Sequence, residues 1–251
     1  MNIKAIDTHM HLNHGSPYDA RESELEKADL ATMMSLYKGA GVDKFFCSTS
    51  ASVWHTEPVE EENEYLFKLS HEIDPLYQWV VIDPRNEKTF QQADRMLNTD
   101  KCVGIKMHPV NHKYTLEEFG DKIFSFATGH KAIVQIHPET SPDYILPFAN
   151  RYPNVTFIVA HMGSYGTSDS DAIGKAKHGN VYVDTSGIAS SRNLAIEYTV
   201  GRVGSERILF GTDTYATGFQ RGRIEYALIS DTDKENILRK NAERLFRQLH
   251  Q

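Results

Sequence analysis

The sequence predicts an α/β fold, a (β/α)8 (TIM) barrel with a single domain over residues 1–251, and three observations support that prediction. Eight short β-rich runs recur along the chain, nearly all separated by helix-like stretches. Such alternation is typical of βαβ units in a parallel sheet. The runs are almost continuously apolar, as strands buried on both faces are. The length matches the usual size of this barrel.

The elements are predicted in order along the chain. Strands are expected at Ile3–His11, Val42–Ser48, Tyr77–Ile82, Cys102–His108, Ala132–His137, Val155–His161, Val181–Asp184 and Ile208–Gly211. Helix-like stretches are expected at Glu24–Gly39, Glu57–Ile73, Lys88–Asn98 and Asp233–Leu249, the last with Asp233 as its N-cap. The alternative is a doubly wound open sheet, which has fewer strands and a Gly-rich phosphate turn. No GxGxxG or GxxxxGK[ST] pattern occurs.

The composition narrows the classes of partner and compartment. The formal net charge is -7, so we expect neither nucleic acid nor an anionic membrane surface as a partner. The chain has two cysteines, Cys47 and Cys102, so no disulfide framework is implied and a reducing compartment is expected. No apolar run approaches the ~18 residues of a spanning helix. The first residues contain no signal-peptide pattern, so the predicted location is cytoplasmic.

Side chains suited to metal binding or acid-base chemistry end most of the predicted strands. In a barrel, active-site groups come from the C-terminal ends of the strands. The residues at or just after those ends are His9, His11, His108, His137, His161, Asp184 and Asp213. We therefore expect one site at one rim of the barrel.

His9 and His11 are the starting point of that site. Alternate residues of a strand share a face, so both imidazoles lie about 7 Å apart on one side and can converge on an ion. Chance alone gives roughly half of one HxH pair in a chain of this composition, so a surface pair stays an alternative. His137 and His161 could each be a hydrogen-bonded core histidine, and Asp213 could be a helix N-cap.

Taken together, these residues indicate a catalytic metal site. His9 and His11 from the first strand, His137 from the fifth and Asp213 after the eighth make a mixed nitrogen and oxygen ligand set. That set suits one divalent metal, zinc first, with manganese, iron or cobalt as alternatives. Protein ligands that leave a coordination position open are typical of catalysis.

The chain also resembles a known group, the amidohydrolase superfamily of metal-dependent hydrolases. It is most similar to the amidohydrolase-related branch (amidohydrolase 2), which includes aminocarboxymuconate-semialdehyde decarboxylase-like enzymes. The resemblance spans nearly the whole chain and rests on Ile6–His11, Val103–Pro109, Val134–His137, Val159–Gly163, Asn180–Gly187, Ile208–Asp213 and Asn241–Phe246. It implies a metal on His9, His11, His137 and Asp213. It also implies that His161, with Asp213, is catalytic and handles the proton of the attacking water.

The fourth strand leaves two possibilities open. Lys106 and His108 share a face, and we expect both to face the barrel interior or the substrate, as in mononuclear relatives. The alternative is a carboxylated Lys106 that bridges two metals. No glutamate occurs in this strand, which argues against the TatD-like nuclease branch. Arg85, after the third strand, is expected to reach a substrate carboxylate, with an ordinary surface arginine as the alternative. The branch often has serine and proline around its last aspartate, where this chain has Thr212 and Thr214.

Three functions follow from these predictions. The first is a metal-dependent hydrolase that attacks a C–N, C–O or C–C bond of a small-molecule substrate with activated water. The second is a metal-dependent, non-oxidative decarboxylase (a lyase) of an aromatic or unsaturated acid. The third is a non-catalytic metal-binding barrel, since a fold does not fix a function. No large inserted domain is present to cover the site, so the pocket is either open or completed by a second subunit of a homodimer.

Overall fold

Eight parallel strands follow one another around the sheet in the order of the sequence. The computed structural model describes residues 2–20, 23 and 25–250. The strands are β1 (Ala5–Leu12), β2 (Val42–Thr49), β3 (Leu76–Val81), β4 (Cys102–Met107), β5 (Ile133–Ile136), β6 (Thr156–Val159), β7 (Val181–Asp184) and β8 (Ile208–Leu209). All eight predicted strands are confirmed. His108, His137 and His161 lie just beyond the ends of the strands to which they were assigned, because the ladder stops before them.

The sheet curves round until its two edge strands meet. The Thr8 N–H donates to the Phe210 carbonyl at 2.9 Å, and the Thr212 N–H donates to the His9 carbonyl at 3.1 Å. These bonds join the end of β8 to β1 and leave a nearly closed barrel. The predicted (β/α)8 barrel is therefore confirmed, and the open-sheet alternative is wrong.

Helices cover the outside of the sheet. They are α1 (Leu30–Ala40), α2 (Ser50–Trp54), α3 (Val59–Glu72), α4 (Glu87–Met96), α5 (Pro109–His112), α6 (Leu116–His130), α7 (Leu146–Arg151), α8 (Ser168–Lys175), α9 (Ala195–Val203), α10 (Thr217–Glu225), α11 (Asp231–Glu235) and α12 (Asn241–Leu245). The second and third predicted stretches correspond to α3 and α4. The first was predicted to begin at Glu24, which lies outside the described residues. Helix α1 begins later, because the Asp29 side chain caps it by accepting the Thr32 N–H at 3.0 Å.

The C-terminal segment corrects one prediction. Asp233 is not the N-cap, because Ser230 stands three residues earlier and takes that position. The Ser230 hydroxyl accepts the Asp233 N–H, and the Asp233 carboxylate accepts the Ser230 N–H, which forms a capping box. The segment is also not one helix. After α11 a π-turn spans Asn236–Lys240, followed by α12 and a 3-10 turn at Arg247–His250.

The two largest groups of buried apolar side chains among the described residues hold the barrel together. The larger packs the helices on the outside of the sheet, and the smaller contains Phe46, Trp79 and Phe246. The rings of Phe46 and Phe246 lie 4.7 Å apart, and those of Trp79 and Phe246 lie 5.7 Å apart, so the C-terminal segment packs against the aromatic residues of the strands. Cys47 and Cys102 are buried and free. Within the described ranges, no helix combines the length and apolarity needed to cross a membrane.

Candidate metal centre

Three side chains converge at the C-terminal end of the barrel. His9 Nε2 lies 3.2 Å from His11 Nε2, and Asp213 Oδ1 lies 3.4 Å from the first and 3.2 Å from the second. One ligand atom from each residue falls within 4.8 Å of the other two. Two imidazole nitrogens and a carboxylate oxygen are the donor types that zinc and related divalent cations take in catalytic sites. The donor set therefore fits the metal that the sequence predicts.

Asp7 fixes the two chain segments that carry these ligands. Its Oδ1 accepts the N–H of His9 at 3.0 Å and the N–H of Thr212 at 3.1 Å, so one carboxylate holds the end of β1 against the segment after β8. The Tyr37 hydroxyl donates to Oδ2 at 2.7 Å. Burial raises the pKa of Asp7 to about 7, although these hydrogen bonds lower it. Sequence reasoning did not assign Asp7, which stands two residues before His9.

The backbone is unusual at both rim residues after β6 and β8. His161 has φ +68° and Asp213 has φ +54°, in the left-handed region that residues other than glycine rarely adopt. Such conformations persist where the surrounding structure imposes them, and they cluster at functional sites. Gly163, two residues after His161, also has a positive φ of +81°, a conformation that glycine adopts readily. The N-cap alternative for Asp213 is wrong, since α10 begins at Thr217 after Ala216.

His9 and His11, the two candidate ligand histidines, are oriented through their Nδ1 atoms. His9 Nδ1 lies 2.9 Å from Asp184 Oδ2, and His11 Nδ1 lies 2.9 Å from the Ser48 hydroxyl. Each ring therefore turns its Nε2 toward the shared centre, as outer hydrogen bonds do for metal-bound histidines. Burial lowers the pKa of His9 to about 4 and lowers that of His11, so both rings are neutral, the form that binds metal. Ser48 pairs with His11 across β1 and β2, a relation that needs the strand register to find.

Lys106 is fully buried beside this centre. Its Nζ lies 2.8 Å from His9 Nε2 and donates to Gln135 Oε1 at 3.1 Å. Burial lowers the pKa of Lys106 to about 8. The expected inward direction of Lys106 is thus observed, and Lys106 and Gln135 are register partners across β4 and β5.

Three further histidines, His161, His137 and His108, lie side by side next to the three candidate ligands. His161 Nε2 lies 2.9 Å from His137 Nδ1, and the rings of His137 and His108 stack with centroids 3.9 Å apart. His108 Nδ1 accepts the Asn111 N–H at 3.3 Å and so caps α5. Burial lowers the pKa of His137 to about 3. His137 falls outside the compact group of His9, His11 and Asp213. Its predicted role as a ligand, like that of His108 at the substrate, stays a prediction.

Arg85 is held by its own chain. Its Nε donates to Asp83 Oδ1 at 2.9 Å and its Nη2 to Asp83 Oδ2 at 3.1 Å, a two-point pairing. Nη2 also donates to the His112 carbonyl at 2.8 Å. These bonds occupy the guanidinium edge that would bind a carboxylate, and the substrate role of Arg85 stays a prediction.

A second buried cluster lies on the other side of His9. His9, His161 and Asp184 place one ligand atom each within 4.8 Å of one another. The Ser186 hydroxyl lies among them, 3.0 Å from His9 Nδ1 and 3.1 Å from His161 Nδ1, and it donates to Asp184 Oδ1 at short range. Asp184 was recognised as a strand end without a role, and Ser186 was missed. The alternation that pairs His9 with His11 points to Ser186, two residues after Asp184.

These features define a class of protein, a (β/α)8 barrel with a candidate divalent-metal centre at the C-terminal ends of its strands. The chain belongs to the amidohydrolase family (Amidohydro_2), whose family model matches residues 6–248. The resemblance read from the sequence is thereby confirmed. A comparison with curated proteins finds no significant match.

Solved structures with the same fold include decarboxylases and a hydrolase. The 5-carboxyvanillate decarboxylase from Sphingomonas paucimobilis has 15% identity and a TM-score of 0.75, with 97% of this chain and 99% of that chain covered. A dihydroxybenzoic acid decarboxylase from a Polaromonas species, with bound manganese and 2-nitroresorcinol, has 15% identity and a TM-score of 0.75, covering 98% and 97%. A probable 2-pyrone-4,6-dicarboxylic acid hydrolase from Acinetobacter baumannii has 15% identity and a TM-score of 0.71, covering 97% and 99%. At such identities the likeness shows the fold alone.

Proposed function

We propose that this chain is a metal-dependent hydrolase that cleaves a C–N, C–O or C–C bond of a small organic molecule. One observation carries the proposal, the position of the Asp213 carboxylate between two groups. Oδ1 lies 3.2 Å from His11 Nε2, while Oδ2 lies 3.9 Å from His161 Nδ1. One side chain thus connects the proposed ligands to the proposed proton-transfer histidine, as activation of water requires.

The residues divide the work as follows. His9, His11 and Asp213, with His137 as the proposed fourth ligand, would hold one divalent cation. That cation would polarise a substrate oxygen and lower the pKa of water toward about 7. Asp213 Oδ2 takes the proton of the attacking water, and the His161 ring exchanges protons with Asp213 and the leaving group. Lys106 supplies a buried positive charge for an anionic part of the substrate.

Zinc is the metal that we propose first. Two neutral imidazoles and a carboxylate match its preferred ligands, and manganese accepts the same set with more oxygen character. Manganese is the stronger alternative to zinc, because a structure of the same fold, the decarboxylase from Polaromonas, contains it.

Decarboxylation of a small carboxylic acid is the second candidate, and two observations favour it. Two of the three structures named above are decarboxylases of aromatic acids. The Lys106 ammonium is buried beside His9 and would be a counter-ion for a substrate carboxylate. Both candidate reactions use the same ligands, so the products must distinguish them.

Isotope incorporation separates the two reactions. The zinc-loaded and manganese-loaded enzymes are incubated with lactones, amides and hydroxybenzoates in H2(18)O and, separately, in D2O. Hydrolysis places 18O in the product, whereas decarboxylation releases CO2 and places deuterium on the carbon that lost it. The proposal predicts 18O incorporation that requires metal and is lost in Asp213→Asn.

A matched variant controls for a nonspecific effect of the substitution. Asp100→Asn makes the same chemical change at an exposed position and should leave turnover unchanged. Deuterated product with CO2 release would replace the hydrolase with the decarboxylase. Metal binding without turnover of any of these substrate classes would favour the non-catalytic barrel.

A further inference from the structure

The buried cluster behind His9 is built around one hydroxyl group. Ser186, Asp184 and His9 are all buried. Gly211 makes room for them, because a β-carbon there would lie 3.0 Å from His9 Cβ and 3.3 Å from both Asp184 Oδ1 and Ser186 Cβ. A β-carbon at Gly187 would lie 3.0 Å from His161 Nδ1. Two glycines thus allow the serine to touch both histidines.

The Asp184 carboxylate accepts hydrogen bonds from five directions. Oδ2 faces His9 Nδ1 at 2.9 Å and the Gln135 amide at 3.3 Å. Oδ1 accepts the Ser186 N–H at 3.0 Å, the His161 N–H at 3.3 Å and the Ser186 hydroxyl. A carboxylate among five donors is an acceptor only. His9 Nδ1 must therefore carry a proton and donate it.

The same count of hydrogen-bond donors and acceptors shows which nitrogen of His161 carries the proton. The single Ser186 proton is directed to Asp184, so the serine oxygen has only lone pairs left for the two rings. His161 Nδ1, 3.1 Å away, must donate to that oxygen, because two facing lone pairs would repel. In the neutral ring, His161 Nε2 then carries no proton and accepts from His137 Nδ1 at 2.9 Å.

The Ser186 hydroxyl also argues against a second metal ion in this cluster. A metal among His9, His161 and Asp184 would need the place that Ser186 Oγ already fills at hydrogen-bond distances. The cluster therefore acts on protons and ring orientation.

We propose that Asp184 is a positioning residue that sets the protonated nitrogen of His9 directly and that of His161 through Ser186. It keeps a proton on Nδ1 of each ring. His9 then presents an unprotonated Nε2 to the metal, and His161 keeps its proton on Nδ1, the nitrogen that faces both Ser186 and Asp213. The part of this inference that concerns the metal rests on the proposed function, but the placement of the ring protons does not.

Nuclear magnetic resonance of the metal-free protein tests the proposal directly. Long-range 1H–15N correlation spectra of the full chain, labelled with 15N-histidine and stripped of metal, report which nitrogen of each ring is protonated. The His9 and His161 signals are those lost in His9→Gln and His161→Asn. The proposal predicts Nδ1–H and bare Nε2 for both rings. A proton on Nε2 of His9 would overturn it.

Two variants separate the two bonds of the cluster. Asp184→Asn should release the His9 proton from Nδ1 and weaken zinc affinity by about 10- to 100-fold, the usual effect of losing an outer partner. Ser186→Ala should spare the His9 tautomer, keep zinc affinity within about threefold and change only the His161 signal. Asp100→Asn should change neither the histidine tautomers nor the zinc affinity.

A purely structural role would give a different pattern. If Asp184→Asn lowers thermal stability but leaves the His9 tautomer and zinc affinity unchanged, the proposal fails. If Asp184→Asn does not fold, the wild-type spectrum and Ser186→Ala still decide. If the wild type shows the predicted tautomers but binds no metal, the placement of the ring protons holds and the proposed function alone fails.

Discussion

The ammonium group of Lys106 lies 2.8 Å from His9 Nε2, and both side chains are buried. A positive charge therefore stands beside the nitrogen that we assign to the metal. Two unit charges at about 4 Å interact by roughly 4 kcal/mol at an effective dielectric constant near 20, so this charge opposes a dication.

Removal of that charge should tighten metal binding. Lys106→Met keeps much of the side-chain volume and removes the ammonium, so zinc affinity should rise by at least about tenfold. Competition with a fluorescent chelator measures the change. Lys68→Met, at a side chain that is 81% exposed, is the control and should have no effect. Weaker binding together with loss of a second equivalent of metal would instead identify Lys106 as a carboxylated bridge.

His161 should matter for turnover and not for metal content. It lies outside the group of His9, His11 and Asp213, and its Nδ1 is occupied by Ser186. His161→Asn should therefore retain the metal and lower kcat by about 100-fold or more, the usual contribution of a proton-transfer group. His178→Asn, at an exposed histidine, is the matched control. Full activity of His161→Asn would leave Asp213 as the only proton-transfer residue.

Asp169 should make the fold less stable as the pH rises. It is buried in α8, its Oδ2 accepts the Gly163 N–H at 2.8 Å, and its Oδ1 has no hydrogen-bond partner among the described residues. Burial raises its pKa from 3.8 to about 6. The folded state thus holds a proton that the unfolded chain releases, and stability is lost as the pH rises from about 4 to about 6.

The rise in the pKa of Asp169 sets the size of this loss of stability, which is about 3 kcal/mol at most. Asp169→Asn keeps an acceptor for Gly163 and cannot ionise, so its stability relative to wild type should increase over that pH range. Urea unfolding at pH 4 and pH 7 measures the difference. Asp231→Asn, at a side chain that is 85% exposed, should follow the wild type. Parallel pH profiles for Asp169→Asn and wild type would contradict the prediction.

Gly104 should be irreplaceable for packing. A β-carbon there would collide with the Ile133 carbonyl oxygen and lie 2.6 Å from Trp79 Cζ3. Overpacking of this kind costs about 1–3 kcal/mol or more, so Gly104→Ala should lower the free energy of unfolding by at least that amount. Gly129→Ala, in α6 with nothing within 4 Å, should be neutral or stabilising by up to about 1 kcal/mol. Equal stability of the two variants would argue against this packing.

The barrel could be predicted from the sequence because each strand corresponds to a short apolar run of residues. Two of these runs also end at a proline, since Pro109 and Pro138 directly follow His108 and His137. The exact boundaries could not be predicted, because they depend on where the ladder between neighbouring strands stops. Asp233 was misassigned, because the cap is decided by a reciprocal bond with Ser230 that the helix pattern does not reveal.

The candidate site was predictable only in part. His9, His11 and Asp213 follow from strand ends, and the structure brings them together. Asp7, Ser48 and Ser186 were missed, because their roles depend on contacts between distant segments and not on a local pattern. The Asp7 bond to Thr212 joins residues 205 positions apart. Such partners require the closed barrel before they can be recognised.

Metal stoichiometry tests the central claim most directly. The metal-free chain is dialysed against zinc or manganese, and the bound metal is measured by mass spectrometry for wild type, His11→Asn and the exposed control His178→Asn. A single catalytic centre predicts about one equivalent in the wild type and the control, and loss of tight binding in His11→Asn. No bound metal in the wild type, or one equivalent that survives in His11→Asn, would contradict the assignment of the centre to His9, His11 and Asp213.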